Sequence, residues 1–220
     1  MATRKLYDDE LKELSAALIK MGTMAMDAVT RAMQALKAFD KRLAREIIEE
    51  DASINAMERD IETMCLKLIL KQQPVAADLR KISTAIKMIT DIERIGDAAS
   101  DIAEISMYHD SVSFPELQDE VLKMAVSARE MVASAIDAYV RGDLALARAT
   151  MEKDDVVDDY FRNIRHELGS KIYKDIPEID TVIDYLMIVK YLERIGDHAV
   201  NICEWVQFYI TGIHINERII

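Results

Sequence analysis

Glu93-Arg94-Ile95-Gly96-Asp97 returns unchanged, 100 positions later, as Glu193-Arg194-Ile195-Gly196-Asp197. Working outward from this pair, the chain aligns with itself. Asp40, Leu43, Ala44, Arg45, Glu49, Asp51, Ile61 and Pro74 match Asp143, Leu146, Ala147, Arg148, Glu152, Asp154, Ile164 and Pro177, each 103 positions on (143 − 40 = 103). Past the prolines the offset drops to 100, so the second copy lacks three residues in a connection, where deletion costs little. A register held over this distance marks duplication of one up-down-up helical unit, residues 1–112 and 113–220.

The pattern between breaks is helical. Interruptions fall at Phe39-Asp40, Gln73-Pro74, Ser111 to Pro115, Gly142-Asp143 and Asp175 to Pro177. In the second segment Ile47, Ile54, Ile61 and Leu68 recur every seven residues, with Met57 and Met64 between them, which is the seam of a bundle. Asp40 and Asp143 each precede a run of helix formers and are placed to cap it. The expected fold is all-α, six long helices forming two tandem three-helix bundles in an elongated body with a pseudo-twofold axis. One continuous irregular bundle is the alternative.

Composition agrees. Of 220 residues 50% are hydrophobic, enough for a sizeable core, while aromatics are 6%, Gly 6 and Pro 3, which disfavours a turn-rich sheet protein. The net charge of -12 lacks the Lys and Arg that displace counterions from nucleic acid, and it lacks a polybasic membrane anchor. Cys65 and Cys203 are too few for a disulfide framework or a thiolate metal site. Met1 to Leu14 reads as charged and amphipathic rather than as a signal peptide, and no run approaches about 18 apolar residues. The expectation is a cytoplasmic protein with neither a nucleic-acid partner nor membrane insertion.

Chemistry concentrates on the third helix of each copy. Glu93, Asp97 and Asp101 climb one face at i, i+4, i+8, and the second copy has Glu193, Asp197 and Asn201 there. Ile82, Ile86 and Ile89 define the apolar direction, and Glu93 falls inside it, with Asp97 at its edge and Asp101 further out. Glu193 likewise shares the direction of Val182, Leu186 and Val189. A carboxylate in core phase is costly without a cationic partner. The second helices supply Asp51 with Asn55, and Asp154 with Asp158, at i, i+4. Oxygen ligands without Cys or suitably spaced His select hard cations such as Mg²⁺, Ca²⁺, Mn²⁺ or iron. The competing reading is a salt-bridge network with Arg94, Arg194, Arg80, Lys81 and Lys87 on solvated faces. Gly96 and Gly196, costly inside a helix, imply close helix–helix approach.

The two ERIGD segments, the second continuing as ERIGDHAVNICE, with Gln72-Gln73-Pro74 and Asp78-Leu79-Arg80, resemble the PhoU family. The resemblance covers both copies and includes the Asp51 and Asp154 positions. It implies a cytoplasmic, often dimeric protein of two three-helix bundles that negatively regulates phosphate uptake and the phosphate-starvation two-component response. The partners it implies are the ATPase of a phosphate ABC transporter and a sensor histidine kinase. It also implies divalent or multinuclear metal centres (iron, zinc or manganese) on E(D)-x-x-x-D motifs. Glu93/Asp97, Asp97/Asp101, Glu193/Asp197 and Asp154/Asp158 fit that motif. Asn55 and Asn201 depart from it, keeping an oxygen but losing a charge.

Three function classes remain open on the residues. The first is a non-enzymatic regulatory adaptor. An enzyme of the ferritin-like di-metal kind needs Glu-x-x-His pairs, which are absent, as are a Gly-rich phosphate loop and a nucleophilic triad. The third is a purely structural dimerising bundle with salt-bridged acids and no metal. His198 reads as a helix-surface or interface histidine. Met21, Met24, Met26 and Met33 read as core filling. Trp205, Phe208 and Tyr209 offer a weak signal for a dimer or partner contact.

Overall fold

The computed structural model describes residues 2–72, 74, 76–110, 114–172, 179–214 and 217–218. Helices α1 (Ala2–Ala38), α2 (Lys41–Gln72) and α3 (Ala76–Ser106) form the first unit. Helices α4 (Pro115–Arg141), α5 (Leu144–Glu152), α6 (Asp154–Ile172) and α7 (Ile179–Thr211) form the second. A two-stranded antiparallel ribbon follows, β1 (Ile213–His214) with β2 (Glu217–Arg218). The unit boundary at 112/113, Gln73, and the stretch 173–178 with Pro177 lie outside the described residues.

The repeat extends to the turns. Asp40 Oδ1 accepts from the amides of Arg42 and Leu43, each at 3.0 Å, and Asp143 Oδ1 accepts from that of Leu146 at 2.9 Å. Both aspartates therefore cap their helices as expected. Just before each, the chain turns through a left-handed residue, Phe39 at φ 56° and Gly142 at φ 65°. The amides of Asp40 and Asp143 close back on the carbonyls of Ala35 and Ala138 at 3.0 and 2.9 Å. Two copies keep one turn geometry although only one has the glycine that suits it.

Six long helices were expected, and the second unit departs from this at one residue. Its middle helix is split at Lys153 into α5 and α6. The Lys153 amide bonds the carbonyl of Thr150, and the Val156 amide bonds that of Lys153, both i to i+3, so the helix tightens for one turn. Asp154 and Asp155 consequently sit in the first turn of α6, at the positive end of its dipole.

The core follows the seven-residue pattern. Ile47, Ile54, Ile61 and Leu68 are all buried, as are Met21 and Met33, while Met24, Met26, Met57 and Met64 are half-buried. Burying each large apolar side chain contributes about 1.5–3 kcal/mol. The buried side chains form one contiguous core running through both units. The most extensive helix pairing joins α3 to α7, one from each unit, and α1 also packs on α4. Among the described helices α2 touches only α1 and α3, whereas α6 touches α4, α5 and α7. The paired third helices thus run through the middle, with α2 and α6 flanking them from opposite units.

Candidate metal centres beside a central helix seam

The first cluster lies between α2 and α3. Asn55 donates its amide to Asp51 Oδ2 at 2.9 Å, which leaves Asp51 Oδ1 and Asn55 Oδ1 buried without a hydrogen-bond partner. Glu93 Oε2 is also buried without one, although Arg94 Nε lies 3.4 Å away. Arg94 Nη1 holds Asp97 Oδ2 at 2.9 Å from a half-exposed position. Gly96 makes this approach possible. A Cβ there would lie 2.9 Å from Ile54 Cδ1 and 3.5 Å from Asp51 Oδ1. The glycine of ERIGD brings α2, and with it Asp51, onto the backbone of α3, as the sequence reading expected.

The carboxylates sense one another. Burial and then Asp97 raise the Asp51 carboxyl above its usual range, with Asp101 adding and the Asn55 hydrogen bond opposing. Burial and then Asp97 raise Glu93 as well. Arg94 opposes that rise, and Glu58 and Asp51 add to it. Such mutual elevation across two helices is the electrostatic mark of acids sharing one space.

The second cluster repeats the first between α6 and α7. A Cβ on Gly196 would meet Asp154 Oδ1 at 3.0 Å and Val157 Cγ1 at 3.4 Å. The Asp154 carboxyl is pushed up to about 6 by burial, then by Asp158, Asp197, Glu193 and Asp155. Asp197 is raised by burial and Glu193, and lowered by Lys190 and His198, with Asp158 adding a rise. The Lys190 ammonium donates to Glu193 Oε2, a contact that i, i+3 spacing could have flagged. Glu58, seven residues on from Asp51, joins the first cluster on the same face of α2, a further acid that the motif reading missed.

Two expected members bond across the helix seam. Asn201 donates its amide to Asp91 Oδ1 at 3.1 Å, across the α3–α7 seam. Asp101 accepts from the Tyr191 hydroxyl across the same seam while still raising Asp51. His198 Nδ1 also meets Asp91 Oδ1, at 2.9 Å, so this histidine is an interface residue. The structure therefore brings together Asp51, Asn55, Glu93, Asp97 and Asp101 on one side, and Asp154, Asp158, Glu193 and Asp197 on the other. Among the described residues no three such side chains stand in ready-made ligating geometry, so an ion would have to draw rotamers inward.

Fold and site together define a duplicated α-helical protein with a cluster of carboxylates on each flank of a central helix pair. The PhoU domain model matches residues 18–106 and 121–206. The phosphate-specific transport system accessory protein PhoU homolog of Clostridium acetobutylicum is 36% identical over 211 residues, 96% of each chain. Its counterpart from Pseudomonas putida is 36% identical over 94% of this chain and 81% of its own. The crystal structure of PhoU from Pseudomonas aeruginosa superposes with a TM-score of 0.87 at 34% identity, covering 94% of this chain and all of that one. That of the phosphate transport system regulatory protein PhoU from Streptococcus pneumoniae gives 0.89 at 28%, covering 96% and 100%. The chain belongs to the PhoU family. Among the described residues no helix is long and apolar enough to cross a membrane.

Proposed function

We propose that this chain is a cytoplasmic regulatory adaptor of phosphate transport, restraining phosphate uptake and the phosphate-starvation two-component response. The observation that carries the reading is likeness over nearly the whole chain to proteins named accessory proteins of the phosphate-specific transport system. It acts by occupancy rather than catalysis. Binding one state of the transporter ATPase, or of a sensor histidine kinase, shifts that partner's population by the difference in affinity between its states. The protein does this as a homodimer, each chain made of the repeat units 1–112 and 113–220 around one shared core.

Divalent cations complete the two clusters in this reading. The donor set fits them. Asp51 Oδ1, Asn55 Oδ1 and Glu93 Oε2 are buried oxygens without hydrogen bonds, and all the ligands are hard. Asp51, Asn55, Glu93, Asp97 and Asp101 would hold ions in the first unit, and Asp154, Asp158, Glu193 and Asp197 in the second. Asn201 supports from the seam. A bound cation supplies the positive charge that locks α2 onto α3 and α6 onto α7.

Two experiments test the parts separately. Deleting the gene should derepress phosphate-starvation genes in phosphate-replete cells, and an unaltered response would sink the regulatory role. Protein purified without chelator should carry stoichiometric iron, zinc or manganese by plasma mass spectrometry. A folded Glu93→Ala/Asp97→Ala variant should lose the first unit's share. Metal-free protein of undiminished thermal stability would leave the salt-bridged structural bundle as the correct reading of the clusters.

A further inference from the structure

Helices α1 and α4 run antiparallel, since Gly22 meets Ile136 at one place and Lys37 shares a hollow with Gln118 further along. Between those points they leave a groove of about 310 Å³. Its floor is the buried Val29, Met33 and Ala125, while Val126 on its wall keeps 48% of its surface open. Thr30 also lines it, but that hydroxyl donates to the Met26 carbonyl of its own helix at 2.9 Å. What the groove offers an occupant is apolar surface.

Its charge runs against that of the chain. No acid lines it, although acids outnumber Lys and Arg by 40 to 28 in the sequence. The charged residues that do line it are Lys37 and Arg129. They stand toward opposite ends, about 12 Å apart at the helical rise per residue. Neither forms an ion pair among the described residues. Elsewhere on the same two helices Lys12 pairs with Asp9, Arg31 with Glu50 and Arg141 with Asp137. Lys37 lies in the last turn of α1, where the helix dipole alone favours a cation. Arg129, in the body of α4, has no such reason to be there.

We propose that this groove docks an acidic amphipathic helix of a partner protein, its apolar side on Val29, Met33 and Val126 and its carboxylates on Lys37 and Arg129. This rests on the reading that the chain works by binding partners, and it names the kind of segment recognised. Apolar residues at i+3 and i+4 of such a helix would fill the groove. Carboxylates at i and i+7 stand about 10.5 Å apart, a span that the two long cationic side chains can meet. The thioether of Met33 lets the floor adapt to the side chains that enter. A second copy of this chain is disfavoured, because a twofold contact would set Lys37 and Arg129 against their own images. A bilayer is disfavoured too, because it takes protruding apolar side chains and this floor is recessed between two helices.

The test is fluorescence anisotropy of a labelled helical peptide of about 15 residues, with Leu at i+3 and i+4 and Glu at i and i+7, titrated with full-length protein. It should bind, and a twin with Lys for both Glu should bind at least ten-fold more weakly, the order of one partly screened charge pair. Lys37→Glu and Arg129→Glu should each weaken the acidic peptide by about ten-fold, and the double variant should prefer the Lys peptide. Lys67→Glu, on the exposed side of α2 and away from α4, should change nothing. Circular dichroism checks that every variant keeps its helicity. Equal affinity for the two peptides, binding of neither, or an unmoved affinity in Arg129→Glu overturns the proposal. So does pelleting with phosphatidylglycerol/phosphatidylcholine vesicles that Arg129→Glu abolishes, or a dimer that Val126→Asp dissociates, when neither peptide binds. In cells, Lys37→Glu/Arg129→Glu should derepress phosphate-starvation genes as deletion of the gene does. A double variant that has lost the peptide yet represses fully overturns the groove as the partner site and leaves the regulatory role intact. A deletion without effect overturns the regulatory reading instead, whatever the peptide does.

Discussion

Asn201 donates its side-chain amide to Asp91 Oδ1 across 3.1 Å, joining the two third helices at a point where the repeat maps one partner near the other. Position 91 corresponds to 191 and position 201 to 101, and Tyr191 duly donates its hydroxyl to Asp101. A single pseudo-twofold contact is thus made twice, once as carboxylate with amide and once as phenol with carboxylate. Further along the seam, Arg80 Nε bonds the Tyr209 carbonyl at 3.2 Å and Thr84 Oγ1 that of Trp205 at 3.2 Å. At the other end His109 Nε2 faces Asp184 Oδ2 at 3.3 Å.

Asp91 is the node of this seam, 14% exposed and shared by His198 and Asn201. Replacing it by alanine leaves both partners without their acceptor, so Asp91→Ala should cost about 1–3 kcal/mol in urea denaturation. Asn201 lies on the exposed rim, and Asn201→Ala should cost less than half of that. Equal costs for the two would mean that the contact is solvent-replaceable throughout.

Two other glycines separate packing from helix propensity. A Cβ on Gly22 would lie 2.1 Å from Ile136 Cδ1, a side chain buried where α1 meets α4. The overpacking cost of about 1–3 kcal/mol should exceed the gain of about 1 kcal/mol from helix propensity, so Gly22→Ala destabilises. Gly169 on α6 has nothing within 4 Å of that position, and Gly169→Ala should stabilise by up to about 1 kcal/mol. Thermal melts of both variants decide this. A stabilised Gly22→Ala would show that Ile136 can swing clear.

The duplication, the caps at Asp40 and Asp143, the Ile47 to Leu68 seam and the role of Gly96 were legible because they depend on residues close along one helix or on exact self-alignment. Phase placed Glu93 and Glu193 inward for the same reason. The destinations of Asp101 and Asn201 were not legible. Both lie further round the helix, and there the neighbour is the other unit's third helix, whose crossing no single-helix period encodes. The break at Lys153 also gave no sign, since a one-turn tightening leaves the apolar period on either side intact. Lys190 was within reach of the pattern, because its contact with Glu193 follows i, i+3 spacing along one helix.

The crowding of acids gives the chelated protein a pH signature. Asp154 stands at about 6 in the fold against 3.8 for the free group. Between those values the native state binds more protons than the unfolded one, so stability falls as pH rises. The contribution is full below 3.8 and is lost as pH passes about 6. Asp51, Glu93, Asp101 and Asp197 are displaced the same way. In excess chelator the melting temperature should therefore increase from about pH 7.5 to about pH 5.5, and Asp154→Asn should flatten that rise. Mn²⁺ at 100 times its dissociation constant should raise the neutral-pH value by about 2.7 kcal/mol of stability. A melting temperature that drops over this interval would mean the acids are already neutralised by the protein's own cations.

Cys65 and Cys203 supply a probe of how tightly each unit is closed. Burial is the main cause pushing both thiols up to about 12, with Glu62 adding at Cys65 and Thr150 opposing at Cys203. The thiolate is the reactive form, so at pH about 8 the folded protein should present almost none. Both residues are fully buried, which blocks the reagent as well. Labelling by a disulfide reagent should then follow opening of the fold, slow in buffer and complete in denaturant. The two thiols report on opening at different places in the shared core, because Cys65 lies on α2 and Cys203 on α7. Single Cys65→Ala and Cys203→Ala variants resolve the two rates. Mn²⁺ should slow labelling of whichever unit the ion closes, and a native-state rate equal to that of a free thiol would show that the bundle is open at that cysteine.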